Sequence, residues 1–398
     1  MSEEIYWDPY DREIDANPHP VWKRMRDEMP LYYNERYNFY ALSRYMDVRE
    51  ACNDWETYTS RFGTVLELID AGPENLPPMV PINYDPPLHT AYRSHLGRAF
   101  TPRRMSVLEG EIRDLVCEYL DAHVGSGGFD YATEVAKRLP AHVLGMLLGI
   151  PEEDRDYLRM LAEAMLHRDE GEEEWNFDAQ EKIVEYLMGH TELRRRDPQE
   201  DLTTTIVQAE IEDPDTGEIR GLTDAELLGC LTLVIGAGND TTSNLLGWMV
   251  YLLSLHPAER QKILDDPSLI PNAIEETLRF ESPSTRQARV VTRDVEHYGQ
   301  TVAEGSRVIV LNASANRDER VFSDPDPDVY AVDRKIDQTL AFGHGIHFCI
   351  GAALTRLEGR IALEETLKRF PTWEVDLDGA ELKHTSTVRG WNRLPIVY

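Results

Sequence analysis

The sequence predicts a mainly α-helical fold with small β-sheets, an α+β arrangement folded as a single domain over residues 1–398. Three observations carry this expectation. Residues 88–255 run mostly in helical period, β-like alternation is confined to 31–42 and 290–310, and no linker, internal repeat or low-complexity tract divides the chain. An apolar content of 41% is ample for one large core.

The elements follow in order. Residues 31–42, LYYNERYNFYAL, read as two short strands about a polar turn from Asn34 to Asn38, and 45–54 follows with helical spacing. From Arg61 to Pro87, Gly63, Gly72, Pro73, Pro77, Pro78 and Pro81 predict a long irregular loop. The helical bulk is interrupted at Gly125 to Gly128, at Pro151, in the acidic run Asp169 to Glu174, and from Asp213 to Gly217. Thr223-Asp224-Ala225-Glu226 is a capping box, after which Leu227 to Leu255 stays apolar until His256-Pro257. One long central helix results, roughly 40 Å at about 1.5 Å per residue. Asn239, Asp240 and Asn244 at its centre are too costly in lipid for a membrane span. Residues 316–339 are rich in turns without clear period.

Lys and Arg total 41 against 72 Asp and Glu, a net charge of −31. Such a chain repels phosphate backbones and anionic lipid, which excludes nucleic acid and membrane surfaces as partners. The N-terminus, MSEEIYWDPYDREIDANPHP, has no basic start followed by an apolar run, so a soluble, cytoplasmic protein is expected. Cys52, Cys117, Cys230 and Cys349 are too few and too scattered for a disulfide framework, and reduced thiols are expected.

The strongest local signal is Phe342-Gly343-His344-Gly345-Ile346-His347-Phe348-Cys349-Ile350-Gly351, leading into a helical pattern from Ala352 to Arg369. A cysteine where a loop meets a helix faces unpaired N–H groups and the positive end of the macrodipole, which favour a thiolate and hence metal binding. Gly343, Gly345 and Gly351 let the backbone turn tightly beside a flat cofactor, and Phe342 is placed to shield the sulfur. A lone cysteine is also commonly inert core, and His344, His347 and Cys349 read alternatively as zinc ligands, although no fourth ligand lies nearby. The run as a whole resembles the haem-binding loop of the cytochromes P450. That resemblance implies iron protoporphyrin IX (haem b), Cys349 as its axial thiolate, and His347 bonded to a propionate.

Three further segments, in the order that family shows, extend the resemblance. Ala237-Gly238-Asn239-Asp240-Thr241-Thr242 places an acid beside an alcohol inside the apolar helix. The bland reading is a satisfied polar patch in which Thr241 bonds back to the carbonyl of Ala237. The functional one has that bond bend the helix at Gly238 to open room for dioxygen, with Asp240 and Thr241 relaying protons as the family's acid–alcohol pair does. Glu276 and Arg279 lie three apart on one helical face, a pair that alone means little. The resemblance assigns them, with Arg334, to the buried network that holds the cysteine loop. In Asp85-Pro86-Pro87-Leu88-His89-Thr90-Ala91-Tyr92-Arg93, His89 and Arg93 share a face and suit one carboxylate, and the resemblance makes them and Arg289 propionate ligands.

The resemblance spans essentially the whole chain and implies a monooxygenase that inserts one atom of O2 into a small, largely hydrophobic substrate by hydroxylation or dealkylation. No segment is left over for a fused reductase, so an acidic ferredoxin-type donor is expected. From Pro86 to Leu108 there are four arginines and no acid; Arg98, Arg103 and Arg104 from this island, with Arg356, Arg360, Lys368 and Arg369, form the expected dock. Substrate contacts are expected from 62–84, 165–177, Leu233, Ala237, Ser284, Thr285, Gln287, Thr387 and Val388. Two other readings share the cysteine loop: a haem-thiolate peroxygenase or isomerase needing no donor, and a haem sensor or ligand carrier.

Overall fold

The helix announced by the capping box organises the molecule. The computed structural model describes residues 4–76, 79–166, 176–213 and 216–398, apart from the side chains of Arg98, Ala99, Pro102 and Arg104. In it the long helix runs Asp224–Leu255, 32 residues, about 48 Å at 1.5 Å per residue. Its N-terminus closes as predicted: the Glu226 N–H donates to Thr223 Oγ1 at 3.3 Å and the Thr223 N–H to Glu226 Oε2 at 2.7 Å. A helix apolar on nearly every side must be buried on nearly every side. Helices Arg138–Leu148, Glu152–Leu166, Phe177–Arg196, Ile270–Phe280 and Ala352–Arg369 all pack on it. Leu227, Leu231, Leu245 and Met249 meet Leu139, Val143, Ile274 and Ile361 in the main core.

The β structure is peripheral. The 31–42 segment forms the expected hairpin, Leu31–Asn34 against Phe39–Leu42, with Asn38 at a positive φ of 50° in its turn. Arg307–Val310 pairs with Phe39–Leu42 in parallel, then Gln287–Val291 and Tyr58–Thr59 extend the sheet antiparallel. Near the C-terminus Glu381–Lys383 and Gly390–Arg393 form a hairpin in which Lys383 faces Gly390. Tyr45–Asn53 is the expected helix.

Several expectations are refined. The 61–87 loop contains a helix, Leu66–Ala71, whose Leu66 and Leu68 are buried; Gly63 and Gly72 on either side masked so short a helical run. Pro77 and Pro78 lie outside the described residues. The break near Gly125 ends in a strand, Gly128–Asp130, paired with Pro395–Val397. The break from Asp213 to Gly217 joins two strands, Glu210–Glu212 and Ile219–Gly221; Pro214 and Asp215 within it, and the acidic run 169–174, lie outside the described residues. Among the described residues no helix is long and apolar enough to cross a membrane.

Candidate active site

The cysteine loop is a closed turn. The Cys349 N–H donates to Phe342 O at 2.8 Å, and within the turn Phe348 N–H reaches Gly345 O at 3.1 Å. Gly345 has a φ of 67°, and a Cβ there would meet Cys52 O at 2.5 Å, so only glycine lets the loop lie this close to the Tyr45–Asn53 helix. Phe342 is flanked by the Arg356 guanidinium, 4.5 Å from its ring centre. The loop then feeds the Ala352–Arg369 helix. Burial pushes the Cys349 thiol up, while the N–H groups of Gly351 and Ala352 and the charges of Arg93 and Arg356 pull it down without offsetting that rise. Desolvation thus outweighs the pull of the helix end, and the buried thiol is held against ionisation more strongly than its place at a helix start suggests. The zinc alternative loses its geometry. His344 Nδ1 meets Gln338 at 2.9 Å and its Nε2 meets Arg49 at 3.4 Å, and no three His, Cys, Asp or Glu among the described residues converge on a metal position.

Beside the loop gather two imidazoles and two guanidinium groups, His89, Arg93, Arg289 and His347, of which His89 and Arg289 are buried and the other two half-buried. His89 is 3% exposed, its Nε2 has no hydrogen-bond partner among the described residues, and burial followed by the charge of Arg93 holds it down to about 4. The His347 ring stands edge-on to that of His89, centres 4.6 Å apart, and its Nε2 meets Ser60 Oγ at 3.2 Å. Burial and the neighbouring Arg289, His89 and Arg93 keep His347 well below the usual imidazole range. Arg289 is buried with Nη1 on Ala288 O at 2.7 Å, and Arg93 donates to Phe348 O. Asp85, the acid nearest this group in sequence, is shared between Thr59 and Arg61, the latter at 3.2 Å. Asp85 also lends its charge to His89 and Arg289, and two guanidinium groups and two imidazoles beside that one carboxylate mark a place for an anionic ligand.

The long helix presents a separate strip. Leu233 and Thr241 are half-buried and Ala237 is exposed, although residues 234–236, 239–240 and 242–250 around them are buried. Positions i, i+4 and i+8 share a face, so this face borders open space inside the molecule. Thr241 Oγ1 donates to Ala237 O at 2.8 Å, the back-bond foreseen from sequence. Gly238 lets the helix pack closely on Leu144, whose Cδ1 would lie 2.9 Å from a Cβ there and would have to shift to admit one. Asp240 points elsewhere. It is 2% exposed and ion-paired with the equally buried Lys383, on a face shared with Asn244. Thr242 Oγ1 ties the strip to the cysteine helix through Thr355 Oγ1 at 3.1 Å.

Glu276, Arg279 and Arg334 meet in a fully buried network. Glu276 accepts Arg279 Nε at 2.7 Å and Nη2 at 2.9 Å, Arg334 Nε at 3.2 Å, and the Ala331 N–H at 2.9 Å. Arg279 Nη1 donates to Asn316 O, and Asn316 Oδ1 in turn accepts the Leu340 N–H at 2.7 Å, two residues before Phe342. Asn316 is therefore the joint between the network and the cysteine loop. Nothing in a turn-rich stretch singled it out.

The family model described as Cytochrome P450 matches residues 158–388. A putative cytochrome P450 123 from Mycobacterium tuberculosis strain H37Rv is 38% identical over 397 residues, 99% of this chain and 97% of the relative. The chain belongs to the cytochrome P450 family. It is accordingly a monooxygenase of the oxidoreductase class. The vitamin D(3) 25-hydroxylase of Pseudonocardia autotrophica is 35% identical over 385 residues, 96% of this chain and 93% of that protein. The crystal structure of CYP109E1 from Bacillus megaterium in complex with testosterone superposes with a TM-score of 0.87 at 28% identity, covering 97% of this chain and 99% of that one.

A P450 carries haem, and the residues present fit it. Haem carries an iron suited to a thiolate and two carboxylates, and this chain offers one loop cysteine with two guanidinium groups and two imidazoles beside it. Of the residues expected at the substrate, Ser284 and Val388 are joined in an antiparallel bridge, and the Thr285 N–H and hydroxyl both donate to Thr387 O, at 3.0 and 3.2 Å. They form one wall, with the Thr285 hydroxyl already engaged. Met165 is buried with its methyl against Gly236, and residues 167–175 lie outside the described residues.

The basic dock is weaker than the sequence suggests. Arg356 pairs with Glu275 at 2.5 Å, Arg360 with Glu109 at 2.7 Å, Lys368 with Glu365 at 2.7 Å and Arg369 with Asp121 at 2.6 Å. These acids come from other helices or from one turn away, which a local count of charge does not see. Arg103 is exposed with no ion pair among the described residues, and the side chains of Arg98 and Arg104 lie outside them.

Proposed function

We propose that this P450 binds haem b and inserts one atom of O2 into a small, largely apolar organic molecule, with electrons from a separate acidic ferredoxin-type protein. The cluster of His89, Arg93, Arg289 and His347 beside the Cys349 loop carries the reading. Cys349 would hold the haem iron, and the guanidinium groups of Arg93 and Arg289 with the imidazole N–H groups of His89 and His347 would hold its propionates. Bound haem supplies the activation of O2. The chain's own residues supply the rest. Phe342 and the closed turn keep water from the sulfur, and Asn316, Arg279, Glu276 and Arg334 keep that turn rigid. Thr241 presents its hydroxyl on the open strip, bonded to Ala237 O, where it moves a proton toward the cavity. Leu233 and Ala237 on one side and the wall of Ser284 and Val388 on the other orient the substrate.

The hydroxylase relative and the steroid-bound structural neighbour support an apolar, ring-sized substrate. Arg103, exposed and without an ion pair among the described residues, suits an acidic donor, and the four free cysteines suit the reducing cytoplasm. The reduced, carbonyl-bound absorption spectrum of wild type and Cys349→Ser tests the foundation: the thiolate band appears in the first and is lost in the second. Equal spectra would sink the reading. Turnover with ferredoxin and reductase, set against peroxide alone, then separates a monooxygenase from a peroxygenase or a sensor.

A further inference from the structure

The wall that Ser284 and Val388 form is held from behind by the N-terminal arm, residues 9–16. Two arginines, one beside each half of the Ser284 to Val388 bridge, are buried and aimed at that arm. Arg389 donates from Nε to Asp15 O at 2.8 Å and from Nη2 to Ala16 O at 2.9 Å, and its Nη1 meets Glu281. Those two carbonyls end the short helix Arg12–Ala16, where no further turn of helix follows to bond them. Arg286 donates from Nη2 to Pro9 O at 3.1 Å, from Nε to Ser386 O, and from Nη1 to Thr285 Oγ1 at 3.1 Å. It makes no ion pair among the described residues, so this buried guanidinium serves to cross-link three stretches of chain. A further link joins His384 Nδ1 to the buried Asp15 at 3.2 Å.

Between arm and wall lies a small cavity, lined among others by Pro9, Tyr10, Thr64, Arg286, Ser386 and Thr387. The wall therefore has space behind it. Its loop is stiff within itself, since Thr385 Oγ1 accepts the Val388 N–H and donates to Val388 O, both at 2.9 Å. Thr285 is tied to Thr387 O and the Arg389 N–H to Pro283 O at 2.9 Å, so the two halves of the wall move as one body. What keeps that body from backing into the cavity is the pair of arginine props. We propose that Arg286 and Arg389 are positioning residues that brace the substrate wall against the N-terminal arm, and that this brace sets the bulk of the molecule the site admits. With the brace intact this side of the site is unyielding, and selection by size acts here. With it cut, Thr387 and Val388 retreat toward Pro9 and the site widens. Residues 9–16 thus govern specificity without touching the substrate.

The inference rests on the haem reading above, and the test separates the two. Imidazole, which is small, and clotrimazole, which is bulky, are titrated into the haem-loaded protein, each followed by its shift of the haem absorption band. The ratio of their dissociation constants reads the room beside the haem. Arg389→Lys keeps a charge beside Glu281 but cannot hold both arm carbonyls, and Arg286→Lys cannot hold all three of its partners. In each, clotrimazole is expected to bind severalfold more tightly relative to imidazole than in wild type, with faster hydrogen exchange over residues 384–389. Arg317→Lys is the control: Arg317 pairs with the same Glu281 at 2.9 Å, but its other bonds go to Phe280 O and Asp328, so the ratio stays at the wild-type value. An unchanged or opposite ratio in both brace variants overturns the inference, and so does an equal change in Arg317→Lys, which marks general loosening. Wild type saturated with clotrimazole is expected to keep its exchange over 384–389; a rise there overturns the inference whether or not the variants fold. If neither azole shifts the wild-type band, the haem reading falls, and this inference with it.

Discussion

Replacing Glu276 by alanine removes the one acid at the centre of the buried network. Two guanidinium groups, Arg279 and Arg334, then lose their carboxylate, and the Ala331 N–H loses its acceptor. Breaking a buried pair by deleting one partner costs about 3–5 kcal/mol, because the surviving charge stays desolvated. That is a large share of the roughly 5–15 kcal/mol that holds a domain together. With about 2.1 cal/mol/K of unfolding entropy per residue over this chain, the same loss lowers Tm by about 4–6 °C. The damage is also local, since Arg279 leads through Asn316 to Leu340 and the cysteine loop. Glu276→Ala is therefore expected to be recovered with a reduced haem-to-protein ratio and a weakened thiolate band in the carbonyl spectrum. A triple change of Glu276, Arg279 and Arg334 to methionine removes all three charges together and is expected to lose less Tm than the single one. Full haem content and an unchanged Tm in Glu276→Ala would refute the placement of this network beneath the loop.

Thr241→Ala deletes the hydroxyl on the open strip and leaves Leu233 and Ala237 in place, so ligand affinity is retained while electrons drain into hydrogen peroxide. The ratio of peroxide formed to NADH consumed checks this, and an unchanged ratio removes Thr241 from the proton path. His19 gives a pH prediction far from the haem. Burial, and secondarily the charges of Arg317 and Arg389, hold its imidazole at about 4 against an ordinary 6.5, even though Glu281 lies 2.8 Å away. Between those values the unfolded chain binds a proton that the folded one refuses, so stability falls as pH drops through this window. Thermal unfolding from about pH 7 down to about pH 5 is expected to show a shallower loss in His19→Gln than in wild type.

Much of the fold was legible because local chemistry decided it. The capping box at Thr223, the hairpin at 31–42 and the back-bond of Thr241 each depend on residues within a few positions of one another. The cysteine loop was legible for the same reason, since Gly345 and the Cys349 to Phe342 bond lie within a single turn. What the sequence concealed is long-range. Lys383 meets Asp240 across 143 residues and Asn316 meets Leu340 across 24, and no spacing rule connects either pair. The basic dock misled for the converse reason: its cations were counted along the chain, and Glu275, Glu109 and Asp121 reach them only in the folded state.

The same contrast separates the buried arginines that have a carboxylate from the basic groups beside the cysteine loop. With 72 acids against 41 basic side chains, a buried cation has every statistical chance of a carboxylate, and Arg279, Arg317 and Arg389 each have one. His89, Arg93, Arg289 and His347 instead crowd together with desolvation acting against the charged form of each. Asp85 returns only part of that cost, at His89 and Arg289. On the reading proposed above, a ligand with two carboxylates would return the rest, and its binding would then add to folding stability as well as to chemistry. Asp240 is the mirror case, an acid whose cation, Lys383, is internal and close. The physical difference between the two sites is that the second is neutralised within the polypeptide, whereas the first leaves donors to be met by a partner from solution.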